Sequence, residues 1–272
     1  FQVGIAESNM VSIAAGLAAS GHVAVTASFA AFLTANAFDQ IRMGVGFTGA
    51  DVKLVGSHAG ISIGEDGPSQ MGIEDIALMT AIPGMTVLCP ADAAAARTLT
   101  AQMIERPGPA YMRTGRPRVP TIYADGHALA IGRASQLRDG SDATVMACGI
   151  MVAMALEAAH ALAAEGIAVR VLDVHTIAPL DVDAVVAAAR ETGAIVTAEE
   201  HLLAGGLGSA VARAVVAHQP CPMGFVGIDD TYAESGKPGD VLAKYGLTWQ
   251  RIAGEVRRLV GGRGATAAPR GL

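Results

Sequence analysis

Residues 56–75, GSHAGISIGEDGPSQMGIED, set His58, Glu65, Asp66 and Gln70 among glycines and between two apolar runs. Glycine permits a tight path that leaves backbone amides open to a ligand, and loops carried by rigid elements are where binding groups concentrate. From spacing alone, a binding loop and a solvated loop are equal readings. Other residues pose the same choice. Glu7, in GIAESNM, stands where a helix begins, and a carboxylate there commonly complements the helix dipole. Phe29 and Phe32, in SFAAF, close a strand-like run in a chain with 6 Phe; they serve either as core or as a flat platform for a ring. Arg116 follows PAYMR in a proline-rich loop, as a solvated cation or as an anion clamp.

The surrounding pattern says what must position these groups. The runs HVAVTASF, DVKLVGS, MTVLC and PAYMR read as short buried strands. Helical segments separate them over 8–20, 33–44 and 91–105. The binding stretch follows one such strand and precedes the helical IEDIALMTA. In open parallel sheets ligands sit beyond the carboxyl ends of the strands, which is where this stretch falls. TGRPRVPTIYADG, residues 114–126, interrupts the alternation as a linker. A second cycle follows, with strands near 143–148, 167–173, 194–198 and 223–228. The reading is α/β, with two parallel-sheet domains over 1–126 and 127–262, and a flexible tail over 263–272.

Composition excludes several classes. The 272 residues suffice for two domains, each with its own core. Hydrophobic residues make up 51% and mean hydropathy is +0.41, but much of this is alanine and no apolar run reaches the ~18 residues of a membrane span. A net charge of −6 argues against a nucleic-acid partner, since phosphate backbones require clustered Lys and Arg. Cys89, Cys148 and Cys221 lie far apart, which fits a reducing compartment such as the cytoplasm better than a disulfide scaffold or zinc site.

In order along the chain, GIAESNMVSIAAGLA, SFAAFLTANAFDQIRM, GSHAGISIGEDGPSQMGIEDIA and MRTGRPR resemble the pyrimidine-binding domain of transketolases. VRVLDVHTIAPLD, EEHLLAGGLGSAV and SGKPGDVL resemble that family's carboxy-terminal domain. Deoxyxylulose phosphate synthases differ in carrying an aspartate-arginine pair and a Thr-His where this chain has Ser57-His58 and Ser69-Gln70. The β subunits of 2-oxo acid dehydrogenases lack the GEDGPSQ form.

The resemblance implies thiamine diphosphate as cofactor and transfer of a two-carbon ketol unit between phosphorylated sugars. It implies that Glu7 bonds the aminopyrimidine nitrogen N1′, with a proton to share. Phe29 and Phe32 match the aromatic wall for that ring, and Gln70 matches a residue near cofactor and sugar. Asp66 matches the aspartate that bonds a substrate hydroxyl. His58 and Arg116 match groups that hold the sugar phosphate. The family's Gly-Asp-Gly motif for diphosphate and Mg²⁺ is absent. The resemblance therefore implies an amino-terminal partner subunit that binds the metal, in an α2β2 assembly without nucleic acid or membrane. A 2-oxo acid dehydrogenase β subunit and a non-catalytic assembly subunit stand as alternatives. GGLGS, at 205–209, reads as a helix start that serves packing.

Overall fold

The computed structural model describes residues 1–124 and 126–266. In chain order it runs α1 (Glu7–Ala19), β1 (Ala24–Phe29), α2 (Phe38–Gln40), β2 (Val52–Ser57), α3 (Asp75–Thr80), β3 (Thr86–Leu88), α4 (Ala93–Glu105) and β4 (Ala110–Arg113). The second cycle is β5 (Ser135–Arg138), β6 (Ala143–Ala147), α5 (Met151–Ala163), β7 (Val169–Asp173), β8 (Thr176–Ala178), α6 (Val182–Thr192), β9 (Ile195–Leu202), α7 (Leu207–His218), β10 (Met223–Ile228), α8 (Pro238–Lys244) and α9 (Trp249–Thr266).

Two five-stranded sheets result, in the orders β1-β2-β4-β3-β8 and β10-β9-β6-β7-β5. Strands β3, β4 and β6 are buried along their whole length, as expected of strands covered on both faces. β1 lies at a sheet edge and alternates instead, with Ala24 and Thr26 buried and Val25 exposed. Neither sheet is purely parallel, which refines the parallel-sheet expectation. β3 pairs antiparallel with β8, and β7 with β5. β8 belongs to the second cycle by sequence, so the first sheet is completed across the domain boundary. Nearby, Cys89 N donates to the His175 carbonyl at 2.8 Å and Gly149 N to the Cys89 carbonyl at 3.3 Å.

The segment expected to be helical over 33–44 is less regular than its pattern suggests. Wide helical turns over Phe32–Asn36 and Ile41–Gly46 flank the three-residue α2. Helical segments of this wider kind occur frequently at functional sites. The linker is pinned in place: Asp92 caps α4 by accepting from Ala95 N at 2.7 Å, and its other oxygen accepts from Ile122 N and Tyr123 N. The Tyr123 hydroxyl donates to Asp173 at 2.7 Å, while burial raises the Asp173 carboxyl to about 7. Of the tail over 263–272, residues 267–272 lie outside the described residues; α9 continues through Thr266. No helix among the described residues is long and apolar enough to cross a membrane.

Candidate functional site

Glu7 opens α1 and is 8% exposed. One of its oxygens accepts from the Ser28 hydroxyl at 2.7 Å, and no hydrogen bond to the other is seen among the described residues. A nearly buried carboxylate with a spare acceptor oxygen is a costly arrangement unless something meets it. The carboxylate faces a cleft of about 460 Å³, lined also by Met10, Leu17, Val25 and Ser28.

Ser28 and Phe29 end β1, in register with Gly56 and Ser57 of β2. His58 follows β2 with a φ of 58°, a left-handed conformation uncommon for a residue with a side chain. Its ring lies flat on Phe29, with centroids 3.9 Å apart and planes 15° apart. Phe29 and Phe32 are also near parallel, 6.0 Å apart and tilted by 13°. Three rings thus form a layered aromatic group, in which half-buried Phe32 borders an open depression of about 600 Å³ with Asn36, Pro68, Ser69 and Tyr232. Burial lowers the His58 pKa, and the Arg116 cation lowers it further, against an opposing pull from Asp66. Of the two groups expected to grip an anion, Arg116 is therefore the one that brings permanent charge.

After His58 the loop is held by Ala59 N donating to the Thr114 carbonyl at 3.1 Å and Gly60 N to the Gly72 carbonyl at 2.7 Å. A short helical turn over Gly64–Asp66 carries the acidic pair. Gln70 N donates to the Gly67 carbonyl at 3.1 Å. The Arg116 guanidinium, 46% exposed, donates to the Ile63 carbonyl at 3.1 Å and lies 3.7 Å from Asp66 and 4.0 Å from Glu65. The structure thus brings His58, Asp66 and Arg116 to one loop cluster, and Glu7, Phe29 and Phe32 to the adjoining end of β1. Glu7 lines one of the two hollows described above and Phe32 the other.

Beneath the loop lies a buried polar network that the sequence did not single out. Arg113 Nε sits 3.0 Å from Asp75, the Tyr111 hydroxyl donates to Asp75 at 2.6 Å, and Arg113 also donates to the carbonyls of Glu200 at 2.9 Å and Gly72 at 3.1 Å. Burial opposes the Arg113 charge, but the Asp75 carboxylate outweighs it and holds the pKa above the ordinary arginine value. Burial pushes the Tyr111 hydroxyl up. Burial also raises Glu199 to about 7, against the amides of Gly208 and Leu207, which donate to it at 2.8 and 2.6 Å. Glu199 in this way caps α7 from the neighbouring strand. A Cβ at Gly206 would stand 2.0 Å from that carboxylate, so the GGLGS glycines do serve packing. The one available signal for this network was the pair of acids in EEHLL, at the end of a strand.

Glu7 with its spare oxygen, beside half-exposed aromatic faces, fits a flat nitrogen heterocycle. For a divalent cation the donors are not assembled: among the described residues no group of three or more His, Cys, Asp or Glu is placed to hold a metal ion.

Comparison with known proteins places the chain in a family. The family described as transketolase, pyrimidine binding domain, matches residues 1–121, and that described as transketolase, C-terminal domain, matches residues 132–252. A 6-deoxy-6-sulfo-D-fructose transketolase subunit of Clostridium sp. strain MSTE9 is 44% identical over 92% of this chain and 78% of its own length. One of the subunits of an apulose-4-phosphate transketolase from Phocaeicola vulgatus is 37% identical, over 92% and 80%. Human transketolase is 40% identical, but the match takes in 94% of this chain and only 41% of the human protein. Among solved structures, a split gene transketolase described as an inactive beta4 tetramer superposes with a TM-score of 0.91 at 42% identity, over 96% of this chain and 84% of that one. The chain thus spans most of the separate subunits it resembles and about two-fifths of the single-chain enzyme. It belongs to the transketolase family, of which it carries the pyrimidine-binding and carboxy-terminal domains.

Proposed function

We propose that this chain is the carboxy-terminal subunit of a two-chain, thiamine-diphosphate-dependent transketolase that moves a two-carbon ketol unit between phosphorylated sugars. The observation that carries the proposal is the Glu7 carboxylate, anchored on one oxygen by Ser28 and open on the other at the end of the strand that bears Phe29. When bound, the cofactor would supply the carbon nucleophile. Glu7 would bond N1′ of its aminopyrimidine and share a proton there, while Phe29 and Phe32 would wall the ring. Gln70 would lie near the cofactor and the sugar, and Asp66 would bond a substrate hydroxyl. Arg116, with His58 beside it, would hold the anion at the far end.

The domain limits kept in this reading are 1–126 and 127–262. The diphosphate and Mg²⁺ would be held by an amino-terminal partner subunit, in an α2β2 enzyme of the cytoplasm. The relatives described above carry transketolase names, which favours neither a 2-oxo acid dehydrogenase β subunit nor a non-catalytic scaffold. The direct test is ketol transfer from a ketose phosphate to an aldose phosphate, together with calorimetry of thiamine diphosphate and Mg²⁺. The isolated chain should be inert and bind the cofactor weakly; adding the partner should produce tight, metal-dependent binding and turnover. Turnover by the chain alone, or none with the partner present, would overturn the reading.

Arg116→Ala should raise KM for a phosphorylated donor about 10-fold, the low end for a charge-assisted bond because water already screens the side chain. An unphosphorylated ketol donor should be nearly unaffected, because only the remote anion loses its partner. His58→Ala should act in the same direction, but less, since the ring is largely uncharged near neutral pH. Equal losses for both donors would assign these residues to folding or cofactor binding instead.

A further inference from the structure

The loop over 56–75 contains Gly56, Gly60, Gly64, Gly67 and Gly72, and such a sequence has much backbone freedom to lose before it can present groups in one geometry. Besides the first-domain bonds already described, part of its restraint comes from the second domain. Ser62 N donates to Glu200 Oε1 at 2.6 Å. Gly236 N donates to the Gly64 carbonyl at 3.4 Å, and Leu202 N to the Ile73 carbonyl at 3.0 Å. The approaches are close enough to require glycine. A Cβ at Gly60, where φ is +83°, would stand 2.1 Å from the Glu200 carboxyl carbon; one at Gly64 would stand 2.8 Å from the Gly236 carbonyl, and one at Gly67 2.5 Å from the Ser235 hydroxyl.

Glu200 is the polar centre of this contact. It is 5% exposed, and burial raises its pKa, so the position is a costly one for a carboxyl group. What offsets the cost is the charge of the buried Arg113 and a bond to the peptide of Ser62, midway in sequence between His58 and Asp66. We propose that Glu200 is a positioning residue for substrate: through Ser62 N and the close seat on Gly60 it sets the stretch that presents His58 and Asp66, so that the carboxy-terminal domain acts in sugar recognition as well as in assembly. This rests on the reading of that loop as the substrate-holding element.

The test uses the assembled two-chain enzyme, after the wild-type assembly has been shown to transfer ketol units; if it does not, the functional reading fails rather than this one. Glu200→Met keeps the length but removes the acceptor. It should raise KM for the sugar phosphate about 10-fold or more, while calorimetric affinity for thiamine diphosphate stays at the wild-type value. Glu200→Gln keeps an acceptor oxygen for Ser62 N and should restore KM to within about 3-fold of wild type. A folded Glu200→Met enzyme with wild-type KM, or one that loses cofactor affinity in the same proportion, would overturn the proposal. Should Glu200→Met fail to assemble, Gly60→Ala approaches the same contact from the loop side. It should raise KM without weakening cofactor binding, and an unchanged KM would overturn the proposal equally.

Discussion

Glu7→Gln should lower turnover of the assembled enzyme by ~10² to 10⁴, the usual effect of losing a principal acid-base group. The substitution is chosen because it leaves the surroundings intact. An amide oxygen can still accept the 2.7 Å hydrogen bond from Ser28, and the side chain keeps its length at the start of α1. What it cannot do is exchange a proton with a ring nitrogen, and that is the role the open carboxylate oxygen would play. The loss should appear in kcat at saturating thiamine diphosphate, with the melting temperature and assembly unchanged. Near wild-type turnover under those conditions would remove Glu7 from the chemistry and leave it a helix-terminal carboxylate.

Arg113→Met should have the largest effect on stability. The guanidinium is 4% exposed and Asp75 is 1% exposed, and the pair, with the Arg113 bonds to Glu200 and Gly72, ties α3 and β4 to the end of β9. Removing the cation leaves a buried carboxylate supported by Tyr111 alone among these partners, and breaking a buried pair from one side costs about 3–5 kcal/mol. For a protein of this size that corresponds to a fall in Tm of roughly 10 °C. Arg113→Met combined with Asp75→Asn removes the stranded charge and should recover part of the loss. Thermal unfolding of both variants decides the matter. A single variant within about 1 kcal/mol of wild type would show that the network contributes little, contrary to the penalty expected for an unpaired buried charge.

Much of the architecture was legible in the chain itself. Strand β6 falls where a continuous apolar run lies and is buried at every residue, as a strand covered on both faces must be, whereas β10, at the edge of its sheet, alternates. The helices at α1 and α4 and the linker followed from composition, and the order of Glu7, Phe29, Phe32, His58, Asp66 and Arg116 pointed to the family before any geometry was known. These are local properties. Burial period, capping and motif spacing are written in neighbouring residues, and they determined the fold class and the candidate residues.

Other features depend on where distant segments meet. The wide helical turns on either side of α2, the closing of the first sheet by β8, the stacking of His58 on Phe29 and the Asp75–Arg113 pair have no local signature. The bond from Ser62 to Glu200 joins positions 138 residues apart. In EEHLL, nothing in the sequence distinguishes the acid that caps α7 from the acid that seats the loop; only the alternation of side chains along β9 sends Glu199 to one side and Glu200 to the other. Hydrophobic patterning tells a strand which faces to bury, but a buried polar group is tolerated only where a specific partner arrives. Which partner arrives is decided by tertiary packing, within the first domain for Asp75 and Arg113 and between the two domains for Ser62 and Glu200.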